Sequence, residues 1–154
     1  MSLYFFDSSA IIKRYVAETG TAWLLDIIDL ATNNRLYLAR ITFVEVISAL
    51  TRRAHSGSFS VAEASSAITQ FRHDIINDYV AVDITPALIE RATQLAEVHA
   101  LRGYDAVQLA AALNINAYNS ALGMQNLTLI SADAALNAAA AAEGLSVDDP
   151  NAHT

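Results

Sequence analysis

Two short stretches of this chain end an apolar run in an acid. Tyr4 to Ala10 reads YFFDSSA, with Asp7 after three aromatic residues, and Leu129 to Leu136 reads LISADAAL, with Asp133 in the same place. An apolar run of four or so residues that passes through small polar residues into a helical pattern reads as a short buried strand with a carboxylate at its C-terminal end. Two further acids open helices: Asp105 in RGYDAVQLAAAL, just after the break at Gly103, and Glu45 in ITFVEVISAL. Helices that return between parallel strands start at the edge where the strands end, so all four acids can meet there. Two carboxylates ~5 Å apart repel by about 3 kcal/mol at an effective dielectric of about 20. Several such pairs demand protons or a cation. All-oxygen ligation in a chain without Cys favours Mg²⁺ or Mn²⁺, ions suited to hydrolysing a phosphodiester.

Each acid also has a plainer reading. Asp and Ser ahead of a helix are preferred caps, and a first-turn acid is stabilised by the helix dipole. Glu45 carries the strongest alternative, because Thr42-x-x-Glu45 has the form of a capping box, as does Ser60-x-x-Glu63. On a helical wheel Glu45 faces away from Phe43, Val46, Ile47 and Leu50. Asp105 and Asp133 lie among apolar neighbours, where an acid needs a partner.

The elements that must position these residues follow one another as short strands and helices. A helix is expected over Ser8 to Glu18, closed by Gly20, and a second over Thr21 to Asn34. Leu36 to Ala39 reads as a strand, followed by helices over Thr42 to His55 and from Ser60 towards Asn77, a pair with no strand between that is free to project as an arm. Tyr79 to Ile84 alternates like a strand. Thr85-Pro86 caps and starts a helix to about Ala100, and Tyr104 to Leu122 forms another. Leu127 to Ser131 is a strand, Ala132 to Glu143 a helix, and Leu145 to Val147 a last strand. The alternation predicts an α/β fold, a short parallel sheet flanked by helices. A single domain over 1–147 and a polar, mobile tail over 148–154 complete the expected organisation.

Composition narrows the function. At 154 residues the chain suits one domain with a real core. No run approaches the ~20 apolar residues of a membrane span, and no basic region followed by an apolar segment opens the chain, so the cytoplasm is the expected compartment. A net charge of −7 argues against broad attraction to nucleic acid, although Arg14, Arg52, Arg53 and Arg102 remain candidates for phosphate contact. The scattered glycines form no nucleotide loop. His55, His73, His99 and His153 lack metal-ligand spacing. Ser9 stands where a haloacid dehalogenase phosphatase needs a second Asp, and a response-regulator receiver would need a Lys near the end of the chain, which Lys13 cannot supply.

DSSA from Asp7, an acid after the second strand, RGYDAVQLAAAL and SAD together resemble the PIN domain, specifically the small ribonuclease toxins of type II (VapBC-like) toxin–antitoxin pairs. The resemblance spans nearly the whole chain. It implies a PIN-like three-layer sandwich and a Mg²⁺- or Mn²⁺-dependent endoribonuclease. Its four metal-holding acids fall on Asp7, Glu45, Asp105 and Asp133, with Ser9 and Ser131 as supporting polar residues. The implied partners are RNA, single-stranded or structured, a cognate antitoxin that inserts a segment into the acidic site, and a second copy in a homodimer. The competing class is a PIN-fold binding scaffold without catalysis.

Overall fold

The computed structural model describes residues 1–154. Five parallel strands form one sheet in the order β3-β2-β1-β4-β5. They are β1 (Leu3–Phe6), β2 (Arg35–Ala39), β3 (Tyr79–Val82), β4 (Leu127–Ile130) and β5 (Ser146–Asp148). Leu3 and Phe5 face one side of β1 and Tyr4 and Phe6 the other, because side chains alternate along a strand. Each side is sealed by its own helices, as a parallel sheet requires. Leu3, Phe5, Leu127 and Leu129 pack with residues of α5 (Pro86–His99), α6 (Gly103–Ala121) and α7 (Ala134–Ala142). Phe6, Leu38 and Ile130 pack against α1 (Ser8–Ile11), α2 (Thr21–Ile28), α3 (Arg40–Ser56) and α4 (Val61–Asn77). The result is the expected three-layer sandwich.

Strand order reverses beside β1. The chain moves outward from β1 to β2 and β3, then crosses back to β4 on the other side of β1. The crevice between the ends of β1 and β4 is therefore the topological switch point, where an open parallel sheet binds its ligands.

Several boundaries differ from the sequence pattern. The first helix does not run to Glu18: α1 ends at Ile11, tightens into a 3₁₀ turn over Ile12–Arg14 and stops. Gly20 does not close it but precedes α2, at φ 87°, and its α-hydrogen faces Pro150 so closely that a Cβ would meet the Pro150 carbonyl oxygen at 2.2 Å. The second helix ends at Ile28 rather than Asn34, with a 3₁₀ turn over Leu30–Thr32. The α3–α4 pair is no free arm along its length, because Val46, Leu50 and Phe71 are fully buried in the second core.

The C-terminal residues are docked rather than mobile. Asp148 belongs to β5 and Pro150 is buried in a 3₁₀ turn. Asn151 accepts a 2.9 Å hydrogen bond from the buried Lys13 ammonium, which also pairs with Glu18. The ring of His153 stacks on Trp23 at 4.0 Å and pairs with Asp148 at 2.8 Å. These residues read as a tail because nothing local signals a partner 138 positions away. No helix is long and apolar enough to cross a membrane.

Candidate active site

The ends of β1 and β4 bring Asp7 and Ser131 together. Asp7 follows β1 directly, and its backbone N–H is held by the Ile130 carbonyl of β4. The residue is almost wholly buried, 3% exposed, and its carboxyl group accepts bonds from Ser9 Oγ (2.7 and 2.9 Å), Ser131 Oγ (2.8 Å) and the Ala10 N–H (3.1 Å). The last of these is a helix cap, so the plainer reading of Asp7 is also true. Burial nevertheless pushes its pKa up to about 7, opposed by those three donors and reinforced by the charge of Asp105. A cap exposed to water would not behave so. Ser9 and Ser131 link the two strand ends further: the Ala132 N–H donates to Ser9 Oγ and the Asp133 N–H to Ser131 Oγ, each at 3.0 Å.

Asp133 sits at the N-cap of α7, not inside it. Its Oδ1 accepts from the Leu136 N–H at 2.9 Å, which leaves Oδ2 turned to Arg102 Nη2 at 3.3 Å. Asp105 lies in the first turn of α6, and its Oδ2 stands 3.5 Å from Arg102 Nε. Burial raises its pKa, the charge of Asp133 adds to the rise, and Arg102 opposes it. Arg102 thus spans two of the acids from the rim, its side chain 84% exposed.

Glu45 is where sequence and structure part most. α3 starts at Arg40, capped by Ala39 without any side-chain bond, so Thr42 is no N-cap and no capping box exists there. Thr42 is instead fully buried and accepts a 2.7 Å bond from Gln108 Nε2. The same Nε2 donates to Glu45 Oε1 at 3.0 Å, while Ser8 Oγ donates to Oε2 at 3.0 Å. Burial raises the Glu45 pKa, Ser8 and Gln108 counter it, and Asp105 adds to the rise. By contrast Ser60 does cap α4, accepting from the Glu63 N–H at 3.0 Å.

Gln108 and Ser8 carry no signal of their own in the sequence. Gln108 lies one turn beyond Asp105 on α6, and that i, i+3 spacing is the one clue that it faces the same crevice. Its Oε1 is buried without a hydrogen-bond partner, as is Oδ1 of Asn137, whose Nδ2 donates to the Ser131 carbonyl.

Asp105 connects the four acids electrostatically, since its charge acts on Asp7 and Glu45 and that of Asp133 acts on it, but they form no closed cage. The one group of His and carboxylate donors lying within 4.8 Å of one another is His73, Asp74 and Asp78, at the opposite, N-terminal end of β3. There Asp74 already accepts from Tyr15 Oη (2.6 Å) and Gln70 Nε2 (2.7 Å), with Arg14 Nε and His73 Nδ1 both at 3.4 Å. That is a buried carboxylate already held by hydrogen bonds and an ion pair. It also removes Arg14 from the candidates for phosphate contact.

Comparison with known proteins agrees with this geometry. A family model described as the PIN domain matches residues 4–142. Ribonuclease VapC45 of Mycobacterium tuberculosis (strain CDC 1551 / Oshkosh) is 35% identical over 118 residues, covering 75% of this chain and 78% of the relative. Among solved structures, PAE2754 from Pyrobaculum aerophilum superposes with a TM-score of 0.63 at 19% identity, over 98% of this chain and 91% of that one. VapBC2 from Rickettsia felis, bound to a DNA fragment from its promoter, does so with a TM-score of 0.61 at 15% identity, over 96% and 98%. With Asp7, Asp105 and Asp133 at the strand ends and helix starts of a five-stranded parallel sheet, and a family match over nearly its whole length, this chain belongs to the PIN-domain family.

Proposed function

We propose that the chain is an endoribonuclease that hydrolyses RNA phosphodiester bonds with a divalent cation, Mg²⁺ or Mn²⁺, as the toxin of a toxin–antitoxin pair. The carrying observation is Asp7: a carboxyl group buried at the switch point, with the charge of Asp105 acting on it and its pKa raised to about 7. A protein gains nothing structural from gathering acids that raise one another's pKa values. Their oxygens are the donor set for a hard divalent cation. Asp7 and Asp105 would be its principal ligands, with Asp133 and Glu45 completing the site or positioning water.

Once bound, such an ion would supply activation of water and stabilisation of the leaving oxygen. The remaining work falls to the protein. Ser9 and Ser131 fix the plane of the Asp7 carboxyl, and Ser8 with Gln108 fix that of Glu45, so that neither reorients as charge changes nearby. Glu45 is half-buried, and burial raises its pKa above the ordinary carboxylate value. Arg102, tethered only by Asp105 and Asp133 at the rim, can exchange those carboxylates for a substrate phosphate.

The name of the mycobacterial relative supports ribonuclease activity, and the VapBC2 neighbour supports an antitoxin partner. A homodimer and a cytoplasmic location belong to the same reading. The test is cleavage of total and single-stranded RNA by the purified chain with Mg²⁺ or Mn²⁺, against EDTA and against Asp105→Asn. Fragments that disappear in both controls are expected. Uncut RNA across many substrates, with no Mn²⁺ heat of binding, would leave a PIN-fold scaffold instead.

A further inference from the structure

Lys13 is the only lysine of the chain, and it is buried. An ammonium group taken out of water is costly unless it is paired, and an apolar side chain of similar length would fill the same space without that cost. The pairing it finds is specific. Nζ donates to Glu18 Oε1 at 3.1 Å, at the edge of solvent, and to Asn151 Oδ1 at 2.9 Å. Asn151 lies in the 3₁₀ turn over Pro150–Ala152, which Asp149 caps by accepting from the Asn151 N–H at 2.8 Å. The turn sets the Pro150 carbonyl against Gly20 and leads into His153, stacked on Trp23.

Both ends of this clasp lead to the acidic site. Lys13 belongs to the 3₁₀ turn that ends the helical segment capped by Asp7. On the other side, the Asp148 carbonyl accepts from the Ser131 N–H at 3.1 Å. Ser131 and Ser9 in turn hold the Asp7 carboxyl, and the Ala132 N–H donates to Ser9. Backbone and hydrogen bonds therefore close a ring, from Asp7 along its helix to Lys13, across to Asn151, back through residues 150 to 148, and over Ser131 to Asp7 again. The pairing of β1 with β4 fixes the strands, and the ring fixes the helix that leaves Asp7.

We propose that Lys13 and Asn151 are positioning residues for the acidic site, seating residues 148–153 as a clasp that sets how Asp7 and Ser131 are held against each other. The buried ammonium serves register, the best-attested use of such a group, rather than stability. Unseating the clasp loosens Asp7, and drawing Asp7 into place seats the clasp more firmly, because such coupling is reciprocal. The positioning itself needs no metal; its consequence for Mn²⁺ rests on the nuclease reading.

Lys13→Met combined with Asn151→Leu removes the polar pair and keeps an apolar contact. Its urea midpoint is expected to be unchanged or higher, since a well-packed apolar pair is as stable as a buried polar one. Amide hydrogen exchange of the metal-free protein, read by NMR, should nevertheless quicken about five- to tenfold at Ser131 and Ala132, the weight of one hydrogen bond. The amides of β2 and β3, across the sheet, keep their rates. Asn151→Asp, which retains an acceptor for Lys13, leaves Ser131 and Ala132 as they were. His153→Ala loosens the clasp from its partly exposed end and quickens the same two amides, which decides the matter should the double variant not fold. By calorimetry the double variant should bind Mn²⁺ between about twofold and thirtyfold more weakly, the range for coupling carried through a packed network. Unchanged exchange at Ser131 and Ala132, acceleration spread equally over β2 and β3, or an Mn²⁺ affinity equal to that of the unsubstituted chain would each overturn the proposal. An unsubstituted chain that binds no Mn²⁺ would sink the nuclease reading while the exchange result still judges the clasp, so the two failures are told apart.

Discussion

Replacing Asp7 by Asn should stabilise the metal-free protein above neutrality. In the folded state Asp7 keeps its proton until about pH 7, while an unfolded chain gives it up near 3.8. Between those values the folded state binds more protons than the unfolded one, so the contribution of Asp7 falls as pH rises through the window and is lost above it. A difference of about 3 pKa units corresponds to about 4 kcal/mol. An amide cannot ionise and escapes that loss. It does surrender acceptor capacity, because Ser9, Ser131 and the Ala10 N–H all donate to the carboxyl, at a cost of about 1 kcal/mol per bond weakened. The expected net gain for Asp7→Asn is about 2 kcal/mol at pH 8 in EDTA, shrinking to nothing or reversing below pH 4. Urea unfolding at a series of pH values measures it directly. Saturating Mn²⁺ should reverse the order, since a ligand bound only by the folded state stabilises that state and the variant has lost a principal donor. If Asp7→Asn were the less stable protein at pH 8 without metal, with a pH profile parallel to the original, Asp7 would be an ordinary ionised cap and not an acid that burial keeps protonated.

Gln108→Leu should cost Mn²⁺ affinity by about ten- to a hundredfold, read by calorimetry, because Glu45 loses the donor that orients it; an unchanged affinity would separate Glu45 from the metal. Arg102→Ala should act in the opposite direction, tightening Mn²⁺ binding by about two- to fivefold, the worth of an exposed ion pair no longer competing for Asp105 and Asp133. Gly20→Ala should destabilise by about 2 kcal/mol, since it combines a positive φ with a Cβ driven into Pro150. Most of that cost should disappear in a chain ending at Asp148, and its persistence there would show that the backbone at Gly20, and not the docked C-terminus, is what resists a side chain.

The strands, their order of appearance and three of the four acids were legible because each leaves a local mark: an apolar run, a small polar break, an acid. Asp133 showed itself through the same pattern as Asp7. Glu45 was harder, because a helix beginning two residues earlier than its pattern turned an apparent capping box into a buried Thr42 and a half-buried acid. Helix starts without a side-chain cap, as at Ala39, give the sequence nothing to mark. Ser8, Gln108 and Asn151 were invisible for a different reason. Their partners lie 37, 63 and 138 residues away, and a polar side chain reads the same from sequence whether it meets water or a distant carboxylate. The early end of the first helix also had no local cause, since Tyr15 is drawn away to Asp74 and Tyr79 by tertiary contacts.

The pairing of β1 with β4 places the second residue group of the site at the far end of the message. Asp7 is made almost first, yet its Ser131 partner is 124 residues later, and Asp133 follows that. During synthesis β1 has one open edge until β4 arrives, and the long loop between them must close before either strand end can hold the other. No fragment that stops short of residue 133 can carry all four acids, whatever its length. On the proposed nuclease reading, a growing chain lacks the complete set of acids until residue 133 has been made, late in its translation.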